Sequence, residues 1–189
     1  MELYLIRHAV TDPRTRLDPY SAALSRRGRA QARRLAAQCA AWGVQFLCAS
    51  TMLRAQQTAD AITTALPDIL RWDLDELEGL VLDDLQGEPG ASQWVHTWTP
   101  QQLDRAREHA WNRIMAALAR IELVSQARGL ERIALVAHQA TLHFVLLRWL
   151  GLDWRSAREI DLAMDEGATS KLVVNGAGPV RVAWVNRLP

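Results

Sequence analysis

The chain is nearly without lysine and nearly without cysteine. Lys171 is the one lysine among 22 basic residues, so guanidinium groups carry almost all of its positive charge. A guanidinium offers a planar fork of donors that matches a phosphoryl group, which a lysine ammonium does not. The 2 cysteines, Cys39 and Cys48, fall in a helix-like and a strand-like segment. They read as small buried apolar residues, and no Cys/His spacing suggests a zinc site. A strong net charge is also missing: 22 basic and 21 acidic residues leave +1. That balance argues against nucleic acid or a membrane surface as a partner. The start Met1-Glu2-Leu3 has neither a basic region nor a long apolar stretch, so a signal peptide or membrane span is not expected and the cytoplasm is the expected compartment. What is present is a hydrophobic fraction of 49% over 189 residues, enough for a core and against disorder. One domain fits this length, with room for an inserted cap.

Strand-like and helix-like segments alternate. Strands are expected near Leu3–Ile6, Phe46–Ala49, Leu70–Leu74 (at a sheet edge) and Arg132–Ala137. Helices are expected at about Ser25–Trp42 with Gly43 as the stop, Leu53–Leu66 ended by Pro67, Gln101–Gln126 after Pro100, and Thr141–Leu150 closed by Gly151. Three short β segments near Glu159–Ala163, Ser170–Val174 and Val180–Asn186 close the chain, with Gly176-Ala177-Gly178-Pro179 as the last hairpin turn. This order predicts an α/β fold: a three-layer α/β/α sandwich with a mostly parallel sheet and helices on both faces. Residues 79–110, largely irregular, are the expected cap or lid within a single 1–189 domain.

The chemistry-bearing residues sit where strands end. Arg7-His8 follows the first strand, and His138 follows the buried run Ile133–Ala137. Arg54 falls in the first turn of a helix after the second strand, where backbone N–H groups and the dipole favour an anion. Ligands of open α/β sheets bind at the carboxyl tips of strands. If these strands are neighbours, His8, Arg7, Arg54 and His138 converge. Ser50 and Thr58 read as capping and packing residues.

These motifs resemble the histidine phosphatase superfamily, the phosphoglycerate mutase-like family. The family's Arg-His-Gly start stands here as Arg7-His8-Ala9, and its Ser-x-x-x-Arg-Ala-x-x-Thr-Ala box as Ser50 to Ala59. Leu24 to Ala32 is similar to the segment entering the first helix. His138 is similar to the late second histidine, with Gln139 in place of the following glycine. The closing strands around Leu172–Val174 and Trp184–Asn186 also match. The resemblance covers most of the chain and is weak from about Val81 to Arg107.

The resemblance implies a metal-independent phosphatase, with no cofactor, that hydrolyses a small phosphomonoester through phospho-His8. Arg7, Arg54 and His138 would bind the phosphoryl oxygens, and a carboxylate would serve as general acid. Glu76, in Leu74-Asp75-Glu76, is the first choice for that carboxylate, with Glu78 the alternate. Thr11, Asp12 and Gln139 are expected at the substrate, Asp12 disfavouring very anionic ones. Trp94, His96 and Trp98 suit a lid. Trp111 and the remaining tryptophans suit packing, and His109 and His143 a structural role. Mutase-type phosphoryl transfer and phosphohistidine phosphatase activity are the enzymatic alternatives, and the chain is short for the mutase insertions. A phosphate-binding module without turnover stays open because alanine and glutamine replace the usual glycines. A homodimer is also left open.

Overall fold

The computed structural model describes residues 1–88, 91–175 and 178–189. Strands β1 (Glu2–Arg7), β2 (Phe46–Ser50), β3 (Leu70–Leu74), β4 (Arg132–Ala137), β5 (Thr169–Val173) and β6 (Arg181–Arg187) form a 6-stranded sheet in the order β3-β2-β4-β1-β5-β6. β1, β2, β3 and β4 run parallel, and β5 and β6 add antiparallel. The α-helices are α1 (Arg26–Trp42), α2 (Leu53–Ala65), α3 (Pro100–Arg128) and α4 (Gln139–Trp149). The expected α/β/α layering is present.

Period-2 alternation within buried strands builds the two faces. Tyr4, Ile6, Leu47, Ala49, Ala134 and Val136 point to α1 and α2, where Leu35, Ala36, Cys39, Ala55, Ala59 and Ile62 meet them. Leu3, Leu5, Phe46, Cys48, Ile133 and Leu135 point the other way, to Ile114, Leu118 and Ile121 of α3 and Leu142, Val145 and Leu146 of α4. Cys39 and Cys48 therefore lie in opposite cores. Both are free thiols, and burial pushes the Cys39 thiol up to about 12.

Local chemistry sets the helix ends. Ser25 caps α1 by accepting the Gly28 N–H at 3.0 Å, and Gly43 closes it in a left-handed conformation. Thr99 and Gln102 form a capping box at the start of α3, with Pro100 in its first turn. Trp111 packs edge-on against Phe144, and Trp42 stacks on Tyr4, as packing residues should.

The structure departs from the sequence-based expectation at two places. The segment expected as a strand at Glu159–Ala163 is not one: a short 3-10 turn at Trp154–Arg158 leads into irregular chain that folds Met164 into the core. Ser50 does not cap α2 but ends β2, and Met52 precedes the helix. The hairpin turn proposed at Gly176–Pro179 lies partly outside the described residues, although β5 and β6 pair antiparallel as expected. The 79–110 segment contains short 3-10 turns at Leu82–Leu85 and Val95–Thr97 and the first turns of α3.

Gly28 shows how tightly α1 seats on the first loop. A Cβ at this position would be driven into the Val10 carbonyl oxygen, which already accepts from the Ser25 N–H and hydroxyl. Gly28→Ala is expected to lower stability by about 1–3 kcal/mol through backbone displacement, read as a shifted denaturation midpoint at unchanged slope.

Candidate active site

β1 ends at Arg7, and the His8 N–H donates to the Ala137 carbonyl at 3.0 Å, tying the residue to the tip of β4. The buried His8 ring sets Nδ1 3.0 Å from the Ala9 carbonyl oxygen. A carbonyl only accepts, so Nδ1 carries the hydrogen and Nε2 keeps its lone pair. Burial, with the nearby charges of Arg54 and Arg7, pushes the His8 pKa down to about 3. A buried, neutral imidazole with a free Nε2 is a competent nucleophile.

His138 follows β4 and precedes α4, and its ring centroid lies 5.2 Å from that of His8. Its Nε2 is 2.8 Å from the Ser50 hydroxyl, while Nδ1 is buried without a protein partner. When Ser50 donates to Nε2, the hydrogen resides on Nδ1 and is available to a ligand oxygen. Burial first, and then Arg54 and His8, hold the His138 pKa well below the usual histidine value. Ser50 is thus a partner of the site rather than a cap. Thr58 also does more than pack: its hydroxyl accepts from the Ala9 N–H at 3.1 Å and donates to the Arg54 carbonyl at 2.8 Å.

Arg7 and Arg54 supply the cations. Arg7 donates through Nη1 to the Met164 carbonyl at 2.5 Å, and its buried Nε has no partner. Arg54 donates through Nη1 to the Pro19 carbonyl at 2.5 Å and contacts Met52 sulfur at 3.1 Å. Burial lowers the Arg54 pKa to about 10, against the supporting charge of Glu166, so it stays a cation at neutral pH. The expected cradle of helix amides is partly used up, because the Leu53 N–H donates to the Tyr20 carbonyl at 3.1 Å. The guanidinium groups, rather than the start of α2, are the available anion donors.

Arg7, His8, Thr11, Arg16, Arg54 and Glu166 border a cavity of about 520 Å³, whose far side carries Leu80, Trp94, Val95 and His96. Thr11 donates to Glu166 Oε1 at 3.1 Å and accepts from Arg16, which also faces Glu166 at 3.6 Å. Trp98, expected beside Trp94, is instead buried with Leu85 and Ala106. Asp12 is turned to the exposed Arg14, 2.7 Å away, and does not border the cavity. Gln139 does not border it either. Its amide donates to the Leu162 carbonyl at 3.2 Å and accepts from the Met164 N–H at 2.7 Å, so it fixes the carbonyl that holds Arg7.

Glu166 is the carboxylate that sequence reading passed over. It enters through a turn in which Gly167, at φ +78°, donates its N–H to the Arg7 and His8 carbonyls. A Cβ at Gly167 would strike the Gln31 side chain, which itself bridges the Val10 N–H and the Glu166 carbonyl. Positive φ next to a buried glutamine is a glycine's position. The Glu-Gly pair was the available signal, but only the fold brings residue 166 beside residue 8.

Glu76 and Glu78 diverge because a short 3-10 turn at Asp75–Leu77 separates them. Glu76 pairs with Arg120 of α3 at 2.6 Å, away from the cavity. Glu78 accepts from the Thr51 hydroxyl at 2.6 Å, next to the tip of β2, and the adjoining Gly79 backbone lies against the His138 ring. Burial raises the Glu78 pKa, partly opposed by Thr51. His109, without a nameable partner in the sequence, sits 3.0 Å from the buried Asp84.

The family model of the histidine phosphatase superfamily (branch 1) matches residues 3–187. No curated protein sequence matches the chain. Among solved structures, the chain is similar to the alpha-ribazole phosphatase of Shigella flexneri at 22% identity, with TM-score 0.71 and 98% of this chain and 96% of that one covered. It is similar to a mycobacterial glucosyl-3-phosphoglycerate phosphatase solved with VO3 at 19% identity, TM-score 0.74, over 98% and 99% of the two chains. YhfR of Bacillus stearothermophilus matches at 21% identity, TM-score 0.74, over 100% and 98%. At such identities the likeness is one of fold.

The low His8 pKa has a consequence for stability. Below about pH 6.5 the unfolded chain protonates this histidine while the folded chain, with a pKa of about 3, does not. Stability present above that pH is therefore lost as pH falls, by up to about 1.4 kcal/mol per unit for each such histidine. Denaturant midpoints at pH 7.5, 6 and 5 should fall less steeply in His8→Asn than in the parent, with His138 and His143, both lowered by burial, sustaining part of the remainder. A second outcome concerns Glu166, whose charge opposes an anion held by Arg7 and Arg54. Glu166→Gln should strengthen competitive inhibition by inorganic phosphate by roughly threefold to tenfold; weaker inhibition would contradict that placement of charge.

Proposed function

This chain belongs to the histidine phosphatase superfamily, and from that membership and its site geometry we propose that it is a metal-independent phosphomonoesterase working through phospho-His8. The observation that carries the reading is the His8–Ala9 hydrogen bond, which leaves Nε2 unprotonated beside two half-buried guanidinium groups. The Nε2 lone pair attacks phosphorus and forms the N–P bond as the P–O ester bond breaks. Arg7, through its unpartnered Nε, and Arg54 neutralise the charge on the equatorial oxygens, and the neutral His138 donates its Nδ1–H to one of them. The leaving oxygen takes the ester electron pair together with a proton from a carboxylic acid.

We assign that acid to Glu78 in preference to Glu76. Glu78 has the raised pKa and a position beside Thr51, next in the chain to Gly79 at the His138 ring, whereas Glu76 is held by Arg120. In the second half-reaction the Glu78 carboxylate takes a proton from water, the hydroxyl oxygen bonds phosphorus, and the N–P bond breaks, returning its electron pair to Nε2. Inorganic phosphate then leaves.

The substrate is a small phosphomonoester. The apolar side of the cavity, Leu80, Trp94 and Val95, suits the carbon skeleton of its leaving group, and residues 79–110 serve as the cap that bears these side chains. Glu166 makes a second phosphate on the substrate unfavourable, the role the sequence suggested for Asp12.

Purified protein should hydrolyse p-nitrophenyl phosphate in EDTA, and His8→Ala should lose on the order of a thousandfold or more. Equal turnover by both would remove His8 from the mechanism. With phenyl phosphate, Glu78→Gln should reduce kcat/KM by about a hundredfold while Glu76→Gln stays near the parent. The reverse ranking would return the acid to Glu76.

A further inference from the structure

Arg113 of α3 lies outside the cavity, yet its guanidinium is committed to one turn of chain. Nη1 donates to the Glu76 carbonyl at 2.6 Å and the Glu78 carbonyl at 3.0 Å; Nη2 donates to the Gly79 carbonyl at 2.6 Å. Nε and Nη2 also grip the Asp84 carboxylate at 2.9 and 3.1 Å. Asp84 is 1% exposed and accepts from the Val81 N–H at 2.9 Å, so it ties the chain just after the turn to the same guanidinium. From the opposite side, the Thr141 hydroxyl of α4 donates to the Glu78 carbonyl at 2.7 Å. The clamped backbone meets the site through two adjacent residues: Glu78 beside Thr51, and Gly79 against the His138 ring.

A buried ion pair costs about as much to desolvate as it returns, so its presence here is weak evidence of stabilisation. Its geometry is informative. A planar, five-donor group is the side chain able to hold three carbonyls and a carboxylate at fixed relative positions. A charged group in that place fixes the direction of the turn rather than merely filling space.

We propose that Arg113, seated on Asp84, is a positioning residue for the general acid, holding the 76–79 turn so that Glu78 meets the leaving oxygen. The inference rests on the assignment of Glu78 as the acid. It also accounts for His109, which completes the coordination of Asp84 from the solvent side.

Leaving-group dependence tests it. A p-nitrophenolate departs without help from an acid, whereas a phenolate or alkoxide leaves faster with a proton, so loss of the acid steepens the dependence of kcat/KM on leaving-group pKa. kcat/KM would be measured across substituted phenyl phosphates for the parent, Glu78→Gln, Arg113→Gln, the milder Thr141→Val, and the double variant Arg113→Gln with Glu78→Gln. Arg113→Gln should steepen the slope as Glu78→Gln does, costing on the order of tenfold with phenyl phosphate and less with p-nitrophenyl phosphate. Thr141→Val should move the slope the same way by a smaller amount, and the double variant should be no worse than Glu78→Gln alone. A uniform loss across the series with the parental slope, or full additivity in the double variant, would overturn the positioning role. If Arg113→Gln does not fold, the slope of Thr141→Val decides by the same criterion. A parental slope in Glu78→Gln would instead overturn the acid assignment beneath it, a result separable from failure of Arg113 alone.

Discussion

The site depends on the parallel pairing of β4 with both β1 and β2. Arg7 lies opposite Ala137, and Ala49 opposite Val136, so the three strands end at nearly the same level. The residues just past or at those ends are His8, His138 and Ser50. A register slip by one residue would turn each to the opposite face of the sheet. The alternating cores against α1/α2 and α3/α4 make such a slip costly, because every buried side chain would exchange faces. The packing that stabilises the sheet is therefore also what holds the imidazoles together.

Burial then sets the electrostatics. Two imidazoles and two guanidinium groups share a region of reduced solvation, and burial above all lowers the pKa of each, with neighbouring guanidinium charges adding to the effect. The imidazoles respond by staying neutral, which is the state a nucleophile and a hydrogen-bond donor need. The guanidinium groups, with a much higher starting pKa, remain charged and lean on backbone carbonyls of Met164 and Pro19. An anion entering this site meets positive charge that water screens poorly. Glu166, held by Thr11 and Arg16, borders the same cavity as both arginines, as Asp18 does, and its charge moderates the field at both guanidinium groups.

Around this centre the contacts are indirect and layered. Gln139 holds Met164, whose carbonyl holds Arg7; Thr58 links Ala9 to the backbone of Arg54; Gln31 joins the Val10 loop to the Glu166 turn. Ala9 and Gln139, the departures from the usual glycines, are absorbed in this way. Ala9 is fully buried and bonded through its N–H, and Gln139 uses its amide on the neighbouring loop. Neither side chain borders the cavity.

The strands, the α/β layering and the placement of His8, Arg7, Arg54 and His138 were legible because they rest on local signals: an apolar run, then a polar residue at its carboxyl end. Those signals are written within ten or so residues and survive any later arrangement of the chain. Ser50, Glu166 and the choice between Glu76 and Glu78 were not legible, since each depends on which distant residue faces it: His138, Thr11 with Arg16, and Thr51 against Arg120. The segment at Glu159–Ala163 misled for a related reason, because its apolar residues pack beneath α4 instead of pairing in the sheet. The sequence by itself determined which elements form and which reactive side chains stand at their ends, because hydrophobic period and capping act over a few residues. Only the tertiary structure decided where Glu76, Glu78 and Glu166 come to stand and what holds them there, because that is set by contacts between residues 27 to 155 positions apart in the chain.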